Sequence, residues 1–259
     1  MCQAAHGVLD MSSTESKDTK TEVKVSIQVT KNGPYIVSGK VPIFEQTIVV
    51  NEEGDPVEWR LGKQYPPKET CGLCRCGYTN NKPYCDGSHV KAKFDGTEAA
   101  GFESFDQKAK VIDGPELKLF DAEELCASAR FCHREGGIWS LIPNSDQPRA
   151  KQVAIEEACD CPAGRLVIED KKTNQKIEPV LEKSIALIED PQLTCSGPLW
   201  VRGGIIVKSS NGQMYEVRNR VTLCRCGKST LKPFCDSSHF PQHKYDELMA
   251  SKKSASTQE

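Results

Sequence analysis

An α+β fold is predicted for this chain, with two small β-rich units in tandem, pseudo-symmetric, flanking a small α+β insert. Three observations carry that expectation. Near the start, Thr21–Thr30 (TEVKVSIQVT) alternates polar and apolar residues as a half-buried strand does. The order found there, strand then Gly-Pro turn then strand then cysteine-rich loop, returns late in the chain. Between the two copies the pattern turns helical and carries a different set of cysteines.

Taken in order, residues 1–20 read as a polar leader without structure. After the first strand, Gly33-Pro34 makes a turn and Tyr35–Ser38 a second short strand ending at Gly39. Gln46–Val50 and Pro56–Leu61 are strand-like around a Gly54-Asp55 turn, and a loop rich in Gly, Pro, Asn and Cys fills Pro66–Gly96. Asp121-Ala122-Glu123-Glu124 reads as an N-cap with Glu at the third helical position, opening a helix to about Phe131. A second helix is expected over Ala150–Ala158, ended by Pro162 and Gly164, with a strand over Leu166–Glu169.

Then the early order repeats. Lys183–Ile188 (KSIALI) echoes Lys24–Val29 (KVSIQV), and Gly197–Gly203 (GPLWVRG) echoes Gly33–Gly39 (GPYIVSG). Leu223–Gly227 repeats LCRCG from Leu73–Gly77. An internal duplication explains all three matches. The second copy is shorter between its Gly-Pro turn and its cysteines, so its β-part is trimmed. The expected divisions are 1–20 leader, 21–113 first repeat, 114–176 central segment, 177–245 second repeat and 246–259 a frayed polar tail.

Composition narrows the function. A formal charge of −2 gives no general attraction for nucleic acid or anionic lipid. No apolar run is long enough to span a membrane, and residues 1–20 carry neither Arg nor an apolar h-region. A cytoplasmic protein is therefore expected. Its 13 cysteines are odd in number, and most lie one to six residues from another, which suits chelation in a reducing compartment better than cross-linking.

The chemistry concentrates in two loops. In the first, Cys74 and Cys76 are followed by Cys85 nine positions on, and then by His89. In the second, Cys224, Cys226, Cys235 and His239 keep the same spacing. Gly77 and Gly227 let the chain bend close to a metal centre, and Pro83 and Pro233 stiffen the presentation of the third cysteine. Asp86 and Asp236 are positioned to N-cap a short helix that would set Cys and His on one face. Three thiolates and one imidazole suit structural zinc, and they also suit an iron–sulfur cluster with histidine ligation. The C-x-C step favours iron–sulfur over the usual C-x2–4-C zinc knuckle.

Both loops resemble the signature of the CDGSH iron–sulfur (NEET) family, C-x-C-x2-[S/T]-x3-P-x-C-D-G-[S/A/T]-H. The first matches at every position; the second has Ser237 where the family has Gly. A serine held at positive φ there would cost about 1 kcal/mol. The resemblance implies two [2Fe–2S] clusters. Cys74 and Cys76 would bind one iron and Cys85 and His89 the other, with the same roles for Cys224, Cys226, Cys235 and His239. It implies histidine as the point of acid lability. It also implies either a homodimer or a monomer that is its own internal pseudo-dimer.

In the centre, Cys126, Cys132 and Cys161 form a C-x5-C…C-P pattern of the ferredoxin type. Residues 120–170 are similar to a divergent mono-cluster ferredoxin-like domain, which implies a third cluster, [3Fe–4S] or [4Fe–4S]. Its fourth ligand stays open among Cys159, Cys195 and His133. The alternative is buried cysteines acting as small hydrophobes. Cys2 reads as unligated, Cys71 as core or as a spare thiol, and His6 and His243 as solvated. Arg218, Arg220 and Arg225 read as a solvated strand face, or else as a dock for an acidic redox partner.

No G-x-G-x-x-G, G-x-S-x-G or P-loop occurs, and the carboxylates are scattered, so no enzyme is expected. The expected function is electron carrier or redox sensor, working with redox partner proteins. Alternatives are a cluster donor or store serving apo iron–sulfur acceptors, and a zinc-stapled interaction module. Neither nucleic acid nor membrane is an expected partner.

Overall fold

The computed structural model describes residues 25–256, with side chains through residue 250. The leader, Cys2, His6 and the start of the Thr21–Thr30 strand lie outside the described residues. Alternation then acts as expected: β1 (Ser26–Val29) buries Ile27 and Val29, and β2 (Tyr35–Ser38) buries Tyr35 and Val37. β3 (Ile43–Val50) and β4 (Pro56–Tyr65) form a hairpin around the Gly54 turn, longer than the sequence pattern reaches. Inside the stretch read as loop, β5 (Thr70–Leu73) pairs with β2. Four mixed residues give no periodicity, so that strand is specified by its partner. Two one-turn helices follow, α1 (Ser88–Lys91) and α2 (Phe105–Lys108).

The central segment is an antiparallel meander of β6 (Lys110–Asp113), β7 (Leu117–Asp121), β8 (Leu166–Asp170) and β9 (Gln175–Ile177). The short helix α3 (Ile138–Leu141) and the longer α4 (Pro148–Asp160) pack on one face of it. There Ile138, Leu141, Val153 and Ala154 meet Leu117, Leu119 and Ile168. The helix expected from Asp121 to Phe131 does not form. Asp121 closes β7 instead, and its carboxylate is bound by Arg165 at 2.6 and 2.9 Å and by the Trp139 indole at 3.0 Å. A single 3₁₀ turn, Glu123–Leu125, follows it, and positive φ at Ser128 and Arg130 stops any helix.

The second copy contributes β10 (Ser184–Asp190), β11 (Cys195–Arg202), β12 (Ile206–Lys208) and β13 (Arg220–Leu223). The tail expected to fray from Asp246 is helical. It forms α5 (Gln242–Ser256), seated through Lys244 on the Leu193 carbonyl and by Tyr245 at 3.4 Å from His133.

The two copies exchange strands. One sheet runs β12-β1-β2-β5 and the other β13-β11-β10-β3-β4. In the first, β12 of the late copy pairs parallel with β1, Ile27 opposite Val207. In the second, β3 of the early copy pairs parallel with β10, Ile43 opposite Ile185. Equivalent strands thus occupy equivalent places in both sheets, β12 standing where β3 stands, and β4 is the strand the trimmed copy lacks. One core fills the space between, combining Ile27, Tyr35 and Leu73 with Ile185, Leu199 and Leu223. The buried Tyr35 hydroxyl lies 2.9 Å from the Cys224 carbonyl and 3.0 Å from that of Pro233, tying the early copy to the late loop.

Where the copies meet, Cys76 and Cys226 form an antiparallel backbone bridge. Gly77 (φ 83°) and Gly227 (φ 79°) flank it. A Cβ on Gly77 would lie 2.7 Å from the Cys226 carbonyl oxygen, and one on Gly227 2.5 Å from that of Cys76. Gly77→Ala or Gly227→Ala should therefore lower stability by about 2 kcal/mol or more, combining left-handed strain with a backbone clash. Gly87→Ala should cost only about 1 kcal/mol, since its Cβ meets nothing within 4 Å. Urea midpoints of the three variants check this; equal losses would remove the close approach as the cause.

Candidate functional site

Each cysteine loop is tied by the same set of backbone and hydroxyl bonds. Cys74 N–H donates to the Pro83 carbonyl and Cys85 N–H to that of Gly72, both at 2.9 Å, so the ends of the loop are stitched to β5. The Thr79 hydroxyl donates to the Tyr84 carbonyl at 2.7 Å and accepts from Asn81 N–H at 3.1 Å. In the second loop Cys224 N–H reaches Pro233 at 2.8 Å, Cys235 N–H reaches Thr222 at 2.9 Å, and Ser229 takes the place of Thr79. Lys82-Pro83 and Lys232-Pro233 are both cis.

The aspartates work differently from the expectation. α1 begins at Ser88 with Gly87 at its N-cap in the left-handed conformation (φ 85°), and the second loop forms no helix at His239. Asp86 instead accepts from Ser88 N–H at 3.0 Å and Asn80 N–H at 2.9 Å, and the Ser88 side chain, followed by these N–H groups, holds its carboxyl well below the usual range. Burial pushes the Asp236 carboxyl up. Bonds from Ser238 and Thr230 outweigh that and leave it at about 2. Cysteine and histidine therefore meet across an Asx-type turn, with no shared helical face.

The side chains gather as pairs. Sγ of Cys74 lies 3.5 Å from Sγ of Cys76, and Sγ of Cys85 lies 3.3 Å from Nδ1 of His89. The second loop repeats this with Cys224–Cys226 at 3.8 Å and Cys235–His239 at 3.4 Å. Among the described residues no three such groups surround one point as they would a single ion. Burial pushes the Cys76 thiol up to about 11 and raises Cys235 well above the usual thiol range. The hydrogen bond between Cys224 and Cys226 lowers Cys226 to about 7 while raising its partner. Burial, and then Arg225, lowers His239 to about 4. Cys76, Cys224 and Cys235 therefore resist ionisation unless a cation compensates the charge, and His239 is held neutral, the form that ligates metal.

Cys132 and Cys161 pack against the same central core, and Cys126 lies near enough for its field to act on Cys132. The Cys132 thiol is raised first by burial and then by the fields of Cys161 and Cys126. Of the fourth-ligand candidates, Cys159 is not available as a thiolate: it is buried in the last turn of α4 and disulfide-bonded. Cys195 opens β11 among Asp190, Arg130, Glu189 and Lys244. His133 packs edge-on to Trp139 and faces Tyr245.

Two family descriptions fit these sites. The iron-binding zinc finger of CDGSH type matches residues 32–90 and 196–240, and the divergent 4Fe-4S mono-cluster matches residues 112–171 between them. Both outer segments of the chain thus match the CDGSH iron–sulfur family model. The chain is an iron–sulfur-binding protein, with two CDGSH segments around a ferredoxin-like one. No curated protein and no solved structure matches the chain. No helix among the described residues is long and apolar enough to cross a membrane.

Within this CDGSH frame the arginines need correction. Arg220 is fully buried and donates to the carbonyls of Cys161, Ala158 and Leu166, with Glu178 as its ion-pair partner. Arg218 donates to the Gly164 carbonyl at 2.6 Å and lies over the Phe105 ring. Arg225 clamps the carbonyls of Gly197 and Ile188 and pairs with Glu189. None of the three forms a solvated face; they donate to carbonyls of loops, of the α4 end and of strands β8, β10 and β11. Cys71 is core, packed in β5, and His243 is exposed.

Arg75 was not foreseen as a structural residue. It is 2 % exposed and donates to Gly33 and Gly96, as Arg225 does to Gly197. The signal was present: both copies carry the same Cys-Arg-Cys downstream of a Gly-Pro step, although Gly197-Pro198 lies inside β11 and forms no turn. Glu157, buried on α4 with Arg134 Nε 3.9 Å away, was missed as well. Burial pushes its carboxyl up from about 4.5 to about 8. The folded chain thus holds this proton more tightly than the unfolded chain, so stability falls as pH rises between those values. Glu157→Gln should remove about 2 kcal/mol of stability loss between pH 6 and pH 8. Urea unfolding at both pH values tests it, and an unchanged slope would show that Glu157 is ionised throughout.

Proposed function

We propose that each CDGSH loop holds one [2Fe–2S] cluster and that the chain serves as a one-electron carrier or redox sensor. The observation behind this reading is the split of each donor set into two pairs, Cys–Cys and Cys–His, at 3.3–3.8 Å. A group with two irons asks for two donor pairs, whereas a single zinc asks for four donors around one point. A bound [2Fe–2S] group supplies one-electron chemistry. Cys74 and Cys76 would hold one iron of the first cluster and Cys85 and His89 the other, with Cys224, Cys226, Cys235 and His239 repeating those roles. The imidazole leaves each site less negative than a fourth thiolate would, which favours reduction, and its protonation releases the ligand.

The three central cysteines would hold a third cluster, [3Fe–4S] or [4Fe–4S]. Exchanged strands complete both sheets within one chain, which supports a monomer that is its own pseudo-dimer. We read the chain as a carrier and not an enzyme, in contact with redox partner proteins. One observation favours a second reading, donor to apo iron–sulfur proteins: Cys85 and His89 are only partly covered, and Val90 beside them is 71 % exposed.

Anaerobic purification should give about four irons and four sulfides per chain, with a surplus of both if the central site is filled. Stoichiometric zinc in a colourless protein would end the redox reading. His89→Cys with His239→Cys should slow loss of the visible spectrum at pH 5 by about tenfold and lower the reduction potentials. Unchanged acid sensitivity in that double variant would remove histidine as the labile ligand.

A further inference from the structure

The one departure from the CDGSH pattern is used. Gly87 of the first loop has φ 85°, and a Cβ built there meets nothing within 4 Å. Ser237 of the second loop holds the same left-handed conformation at φ 70°, which L-residues adopt at a cost. Its hydroxyl donates to the Cys126 carbonyl at 2.7 Å and accepts from the Ser128 hydroxyl at 2.8 Å. Ser128 is itself left-handed, at φ 51°. So two strained serines, one in each segment, meet in a short chain of hydrogen bonds that ends on the backbone of a central cysteine.

Apolar packing joins the segments at the same place. Cys235 shares a small cluster with Ala127 and Ala163, and Cys161 packs against it. Arg220, the first residue of β13, the strand that leads into the second loop, donates to the Cys161 carbonyl at 2.7 Å. Both outer cysteines of the central group are thus fastened to the second loop, Cys126 through Ser237 and Cys161 through Arg220.

We propose that Ser237 is a positioning residue that latches the second CDGSH loop onto the central three-cysteine site, so that electrons enter or leave the central site through the second loop. The proposal rests on the cluster assignments made above. In the step itself one electron leaves one iron centre, which is oxidised, and reduces the other; no bond is made or broken and no proton moves. A low-potential one-electron donor supplies the electron, and dithionite stands in for it in the test.

Ser237→Gly is the decisive variant, because it restores the family residue and relieves the strained φ without touching a cysteine or histidine. In the full chain as purified, the variant should keep the wild-type iron and sulfide content. Backbone amides at residues 126–130 should exchange with deuterium at least about fivefold faster, since both hydrogen bonds of the Ser237 hydroxyl are lost. In dithionite-reduced samples the magnetic broadening between the central and second centres should weaken, and their electron equilibration should slow by about tenfold. Gly87→Ser, which adds a hydroxyl facing open space, should leave all three readouts at wild-type values. Unchanged exchange in Ser237→Gly overturns the latch, and faster exchange with unchanged magnetic broadening overturns the electron path. Iron in both loops with none on the central cysteines also overturns the proposal. The iron count separates that result from failure of the loop assignments, which would appear as loops without iron.

Discussion

The arrangement of both cluster loops depends on the parallel pairing of β1 with β12 and of β10 with β3. Each pairing places a strand of one copy at the inner strand of the other. Neither copy has a complete sheet without its partner's strand, and neither could bury its apolar face alone. Once the strands are exchanged, β5 and β13 point their following cysteines at a common seam, where Cys76 and Cys226 share a backbone bridge. The two glycines there are required by space as much as by φ, since each faces the other loop's carbonyl.

Buried arginines carry a second layer of order. Arg75, Arg220 and Arg225 donate to carbonyls of turns, of the end of α4 and of strands β10 and β11. A guanidinium presents several donors in a fixed fork, so one side chain can fasten two or three segments at once. This suits loops that must hold their donors in place while contributing few apolar side chains of their own.

How much of this was legible follows from which interactions are local. The strand Tyr35–Ser38 and both cysteine spacings are written in consecutive residues, and so is the duplication. β5 was not legible, because Thr70–Leu73 becomes a strand only by pairing with β2. The helix after Asp121 was misread because the capping carboxylate is claimed by Arg165, 44 positions away. The Asp86 turn was misread for a nearer reason: Gly87 in the left-handed conformation breaks the helical path between Cys85 and His89. Strand exchange between copies left no mark in either copy, since parallel partners need only a matching apolar face. Burial of Arg218, Arg220 and Arg225 was likewise invisible, as nothing beside them in sequence announces the carbonyls they meet.

The fused pseudo-twofold also bears on how such a molecule can change. In a dimer of identical chains every substitution appears twice, so a residue that improves one loop is imposed on the other. Here the repeats are separate stretches of one chain. The late copy has no counterpart of β4, and Ser237 stands where the early loop has Gly87. Covalent linkage has therefore released the two halves from equality while the shared core still holds them in register. Symmetry remains as a scaffold, and the two loops are free to become different parts.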